Sequence, residues 1–141
     1  EVITENTAFL MANLLQGVVD EGTGRRLRFR YGFKNQIGGK TGTTQNHSDG
    51  WFIGITPDLA GGVWVGAEDR SIHFQNLANG QGASMALPIW ALFMQKVYAD
   101  KSLAVPQSDF QKPNGVNHVL DCGDADREGM TDYDSSDEIF D

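Results

Sequence analysis

The chain has 141 residues, 40% of them hydrophobic, enough for one domain with a modest core. Its net charge of -8 is concentrated at one end: residues 1–120 carry ten acids against ten bases, and residues 121–141 carry nine acids against Arg127 alone. The body is therefore balanced, no basic face points to nucleic acid, and the single Cys122 excludes an internal disulfide.

No apolar run is long enough to cross a bilayer and no signal-peptide pattern is present, so a membrane anchor, if used, is expected outside these residues. From Ile3 to about Glu21, Phe9, Leu10, Met11, Leu14, Leu15, Val18 and Val19 recur at helical spacing, with Thr4 as cap and Gly22 as stop. This predicts an amphipathic helix with one buried stripe. Gly22-Thr23-Gly24 then turns the chain into Arg25–Tyr31, where arginines alternate with Leu27, Phe29 and Tyr31. Alternation predicts an extended segment with a solvated basic edge, next to an acidic segment.

Three strands are expected in close order, over Gln36–Thr43, Gly50–Thr56 and Gly61–Glu68, joined by short turns as an antiparallel meander. Trp51, Phe52, Ile53, Val63, Trp64 and Val65 supply its apolar faces, and the first strand lies at an edge, free to pair with another chain. Residues 69–83 read as a long loop, and Ser84 to about Ala99 as a second helix with Pro88 in its first turn. His47, His73 and His118 stand alone, and no pair of histidines or cysteines has zinc-ligand spacing. After Asp100 the pattern dissolves. The expected division is a domain over 1–105 and an acidic, disordered tail over 106–141. Asp124-Ala125-Asp126-Arg127-Glu128-Gly129 opens like a calcium loop, but Ser135 stands where the bidentate Glu belongs.

One stretch concentrates chemistry. Gly38-Gly39-Lys40-Thr41-Gly42-Thr43-Thr44 combines a cation, three hydroxyls and three glycines just before a buried strand. Glycine lets another backbone come close, lysine supplies positive charge and threonines supply short donors, which together suit an extended substrate bearing a carboxylate. A polar surface hairpin would have the same composition. A phosphate-binding loop is excluded by spacing, because Lys34 occupies the position of its first glycine and the residues after Thr41 break a helix instead of starting one.

Lys40-Thr41-Gly42 matches the third motif of the penicillin-binding and β-lactamase acyl-transferases. Together with Val18-Val19-Asp20-Glu21-Gly22-Thr23-Gly24, Asp49-Gly50-Trp51-Phe52-Ile53-Gly54, Val63-Trp64-Val65-Gly66, Gly80-Gln81-Gly82-Ala83-Ser84 and Ala86-Leu87-Pro88-Ile89-Trp90, it resembles the C-terminal part of the transpeptidase domain of class A penicillin-binding proteins. The resemblance implies an α+β fold: a three-stranded antiparallel sheet flanked by N- and C-terminal helices, an incomplete piece of the penicillin-binding and serine β-lactamase-like fold. It implies that Lys40 assists proton traffic, that Thr41, Gly42, Thr43 and Thr44 bind the substrate, and that the Thr43 N–H forms half of an oxyanion hole. The implied ligands are peptidoglycan stem peptides ending in D-Ala-D-Ala and β-lactams, with no metal and no cofactor, at the periplasmic face of the inner membrane.

The first two motifs of that family are missing. Ser48, Ser71, Ser84, Ser102, Ser108, Ser135 and Ser136 all lack a lysine three residues on, and no Ser-x-Asn occurs. The resemblance then implies a nucleophile outside these residues, an inactive isolated chain, and a parent with a glycosyltransferase domain and an upstream anchor. Two alternatives stay open: a non-catalytic module that docks peptides by strand addition, or a β-lactamase or D,D-carboxypeptidase relative. An exposed edge and apolar face in such a piece lead to an expectation of self-association.

Overall fold

The structure, a computed structural model, describes residues 2–116. Helix α1 (Glu5–Asp20) begins where Thr4 Oγ1 accepts the Thr7 N–H at 3.2 Å, and ends as Gly22 N–H returns to Gly17 O at 3.1 Å. Gly22 is needed there, because a Cβ would stand 2.9 Å from the Val18 backbone. Ala12 and Val19 are buried, whereas Met11 and Leu14 of the expected stripe are exposed.

Arg25–Tyr31 is not extended. Arg26–Phe29 forms a helical turn, α2, and alternation fails as a guide: Leu27 is fully buried while Phe29 is 70% exposed. The arginines fold the chain instead of lining an edge. Arg28 pairs with Asp20 at 2.6 Å and donates to the carbonyls of Phe33 (3.2 Å) and Asn35 (2.6 Å), tying the segment that follows α2 back against the end of α1. Arg26 reaches across the molecule to Ala83 O.

The meander is as expected. Strands β1 (Gly38–Thr43), β2 (Gly50–Ile55) and β3 (Ala60–Val65) form an antiparallel sheet in sequence order, with β1 at one edge. The register pairs Lys40 with Ile53, Thr41 with Phe52 and Thr43 with Gly50. Strand alternation sends Thr41, Thr43, Phe52, Gly54, Gly61 and Val63 to one face, and Lys40, Gly42, Trp51, Ile53 and Trp64 to the other.

Residues 69–83 are not wholly loop. They contain the turn α3 (Leu77–Gly80), capped by Asn76, and the start of a second turn, α4 (Gly82–Met85). The last helix, α5 (Leu87–Ala99), carries Pro88 in its first turn and packs on the first face of the sheet. Trp90 lies over Gly54 and Gly61, its ring 5.3 Å from Phe52 at 72°, and its Nε1 donates to Gly61 O at 3.1 Å. A Cβ on Gly54 would collide with that ring. Val19, Leu27, Phe33, Ile37, Leu87, Ala91 and Met94 complete one core.

Packing continues past residue 105. Ser108 donates to Asp58 at 2.8 Å, the Phe110 N–H donates to Gln36 Oε1 at 2.8 Å, and Val116 is buried. Cys122, His118, the calcium-like stretch and the acid-rich end lie outside the described residues.

Tyr98 gives the fold a pH dependence. Burial pushes its phenol above the ordinary 10.0, Asn35 and Thr56 hydrogen bonds pull it partly back, and the Asp58 charge adds to the rise. The folded state thus favours the protonated ring, so the contribution is complete below the ordinary value and is lost as pH rises through the folded one. Tyr98→Phe is expected to cost about 1 kcal/mol near neutral pH through loss of the Asn35 bond and to flatten the alkaline fall in thermal stability. Melting curves from neutral pH to above pH 10.0 measure both effects.

Candidate functional site

The β1 edge brings the predicted residues together. Lys40 is exposed, and its Nζ donates to Thr41 O at 2.7 Å. On the other side of the ladder, the Thr44 N–H donates to Asp49 O at 3.0 Å, continuing the β1–β2 pairing. Backbone groups of an antiparallel strand alternate in direction. Hence Thr44, Gly42 and Lys40 face β2, while the C=O of Thr41 and the N–H of Thr43 face the free edge. An extended chain laid along that edge meets backbone partners in its plane, the Lys40 cation from one face and the threonine hydroxyls from the other.

Two contacts fix the hydroxyls. Thr43 Oγ1 accepts the Gly82 N–H at 3.0 Å, and Thr41 Oγ1 lies 2.8 Å from Thr23 Oγ1. Gly82 comes so close to the sheet that a Cβ there would strike Trp51 O and Gly42 O. A Cβ on Gly42 itself would point to the opposite face and meet only Trp51 Cβ at 3.3 Å. Thr44 differs from its neighbours. Its hydroxyl lies within bonding distance of Ser48 Oγ, Asp49 O and Asp49 Oδ2, and accepts the Asp49 N–H at 2.9 Å. Its side chain holds the β1–β2 turn.

That turn is built around Asp49, whose carboxylate also accepts from Ser48 Oγ at 3.0 Å and from Trp64 Nε1 at 3.2 Å. The knot secures two consecutive left-handed residues, Asn46 (φ 62°) and His47 (φ 56°). Asn tolerates this conformation; His pays about 1–2 kcal/mol for it. Phe74 N–H to His47 O, 3.2 Å, adds the final hold.

Thr23, Asp49 and Gly82 belong to the site although spacing alone does not assign them a part in it. Thr23 had a signal, a lone hydroxyl residue between two glycines, which fits an ordinary turn equally well. Gly82 stands in the Gly80–Ser84 stretch that carries the resemblance, but no local pattern shows that it meets Thr43, 39 residues away in the chain. Among the described residues no group of three His, Cys, Asp or Glu side chains converges on a metal position, and no helix is long and apolar enough to cross a membrane.

A Lys-Thr-Gly edge strand, a meander and a helix seated on one face of it are the arrangement of a penicillin-binding-protein transpeptidase fold. The family model described as the penicillin binding protein transpeptidase domain matches residues 1–85, and the chain belongs to that family. Class A relatives extend the match beyond residue 85. The chain is 36% identical over 117 residues to penicillin-binding protein 1A of Pseudomonas aeruginosa, covering 82% of the chain and 13% of that protein. It is 33% identical over 126 residues to penicillin-binding protein 2D of Bacillus subtilis, covering 84% and 16%. The crystal structure of penicillin-binding protein 1A from Haemophilus influenzae superposes with a TM-score of 0.66 at 30% identity, covering 80% of the chain and 17% of that structure. The chain thus spans a small part of the length of the relatives it matches.

Gly82→Ala tests the close approach of α4. The methyl group has no space between Trp51 O and Gly42 O, so the substitution is expected to destabilise the fold by about 1–3 kcal/mol, read by denaturant unfolding. It should also deprotect the Gly42 and Thr44 amides, which face β2, in hydrogen exchange before those of β3.

Proposed function

We propose that this chain is the C-terminal part of a peptidoglycan D,D-transpeptidase domain, and that β1 is the strand on which the acyl donor aligns. The observation that carries the reading is the free edge of β1, with the Thr41 C=O and Thr43 N–H outward and Lys40 exposed beside them. A stem peptide ending in D-Ala-D-Ala, or a β-lactam, adds to that edge as an extended segment.

The chemistry divides between this chain and a serine outside it. The serine oxygen attacks the carbonyl of the penultimate D-alanine, the terminal D-alanine leaves as the amine, and the amine of a second stem peptide then takes the acyl group. Lys40 sits beside the attacking hydroxyl, favouring loss of its proton and drawing in the substrate carboxylate. Thr41 and Thr43 donate to that carboxylate, and Gly42 keeps the edge open. The Thr43 N–H supplies one donor to the developing oxyanion, worth about a hundred- to thousandfold in rate. Thr44 contributes by holding the strand end. The reaction takes place on the outer side of the cytoplasmic membrane, at its periplasmic face, with the anchor elsewhere on the polypeptide.

The same free edge also suits a module that only docks peptides, and mass spectrometry separates the two. Incubated with excess benzylpenicillin, the complete gene product is expected to gain one covalent adduct while residues 1–141 alone gain none. Lys40→Ala in the complete product should slow that acylation by about a hundredfold or more. An adduct on the short chain would place a reactive nucleophile within these residues, and an adduct on neither would favour the docking module. Rapid loss of the adduct to water would favour a β-lactamase or carboxypeptidase relative.

Isolated residues 1–141 are also expected to self-associate. The outer edge of β3 is unpaired among the described residues, and Leu59, Trp90, Phe93, Val97 and Leu103 line an apolar groove of about 460 Å³ beside it. Sedimentation velocity across a concentration series is expected to show a dimer or larger species; a monomer throughout would refute the expectation.

A further inference from the structure

The turn Gly22-Thr23-Gly24 has no part in the chemistry described so far, yet its one side chain touches the site. Both glycines are jammed against the end of α1: a Cβ on Gly22 would stand 2.9 Å from Val18 O, and one on Gly24 would stand 3.1 Å from it. Thr23 is the single side chain the turn projects, and among the described residues its only hydrogen-bond partner is Thr41 Oγ1 at 2.8 Å. Arg26, three residues on, donates to Ala83 O at 2.9 Å and Ser84 Oγ at 3.0 Å. That tie links the turn to α4, whose Gly82 braces Thr43.

A threonine hydroxyl has one proton and two acceptor positions. The Gly82 N–H can only donate, so it fills an acceptor position on Thr43 and leaves the Thr43 proton free to point at a ligand. We infer that Thr23 does the same for Thr41: it is a positioning residue that donates to Thr41 Oγ1 and so turns the Thr41 proton towards the carboxylate of the acyl donor. Resting on the reading of β1 proposed above, this gives two same-face hydroxyls, two residues apart, each with an acceptor position filled from behind and a proton presented in front. A carboxylate accepts on both oxygens and its charge strengthens each bond, so the paired donors select it over a neutral group.

The test compares acylation of the complete gene product by benzylpenicillin and by its methyl ester, which lacks the charge. The wild-type protein should prefer the free acid. Thr23→Val should slow acylation by the free acid about fivefold, slow the ester less and so shrink the preference, while Thr23→Ser, which keeps the hydroxyl, should restore it. An equal loss on both substrates would mean that Thr23 only supports the fold, and an unchanged preference would mean that Thr41 needs no orienting partner; either overturns the inference. Failure of the wild-type protein to form any adduct would instead overturn the reading of β1 itself, and the role of Thr23 with it.

Discussion

An edge strand that is to receive another chain must leave its outer backbone groups unpaired and still stay in place. β1 meets this constraint by being held from every direction but one. Its inner edge is laddered to β2 over six residue pairs, its threonines are held by Thr23 and Gly82, and its end is tied by Thr44 into the Asp49 knot. Each of these contacts is worth only about 0.5–1.5 kcal/mol. Their effect lies in number and direction, since none of them uses the Thr43 N–H, and the outward Thr41 C=O accepts only from the exposed Lys40 side chain among the described residues.

Glycine makes this support possible at two levels. Gly82 admits α4 to within contact of the Gly42 and Trp51 backbones, and Gly54 admits the Trp90 indole to the sheet. The indole then donates to Gly61 O, so burying a large aromatic leaves no polar atom unpaired. Helix α5 is seated by that ring, and α4, which runs directly into α5, is carried to β1 with it. The position of β1 is therefore set in part from the core, through Trp90, α5 and α4, and in part by the turn residues Thr23 and Asp49.

The meander, its edge strand and the long last helix were legible because each rests on local pattern: glycine and threonine in β1, the Trp-Phe-Ile run in β2, and Pro88 opening α5. Lys40, Thr41, Gly42 and Thr43 were legible as a motif. Arg25–Tyr31 was not, because four arginines among three apolar residues satisfy a period of two by eye, whereas the contacts of Arg28 with Asp20 and two carbonyls select a helical turn. The stripe on α1 was overread for a different reason. Helical spacing says which residues share a face, and it cannot say that Met11 and Leu14 find nothing to pack on among the described residues. Thr23 and Gly82 act across long sequence separations, where no local pattern reaches.

The separation of roles along the sequence has a physical consequence for how such a site works. On the proposed reading, this chain holds the groups that stabilise charge: a lysine, two oriented hydroxyls and one oxyanion donor. The group that makes and breaks the bond lies elsewhere. Charge-stabilising groups act on rate only if they are already aimed when charge develops, because reorienting a dipole during the reaction costs the energy it would return. A nucleophile on a separate element can tolerate some motion before attack; the strand that receives the charge cannot. The bracing of β1 by Thr23, Gly82 and Asp49 fits that demand: the strand whose contribution depends on being in place beforehand is tied at its hydroxyls and at its end as well as along its inner edge.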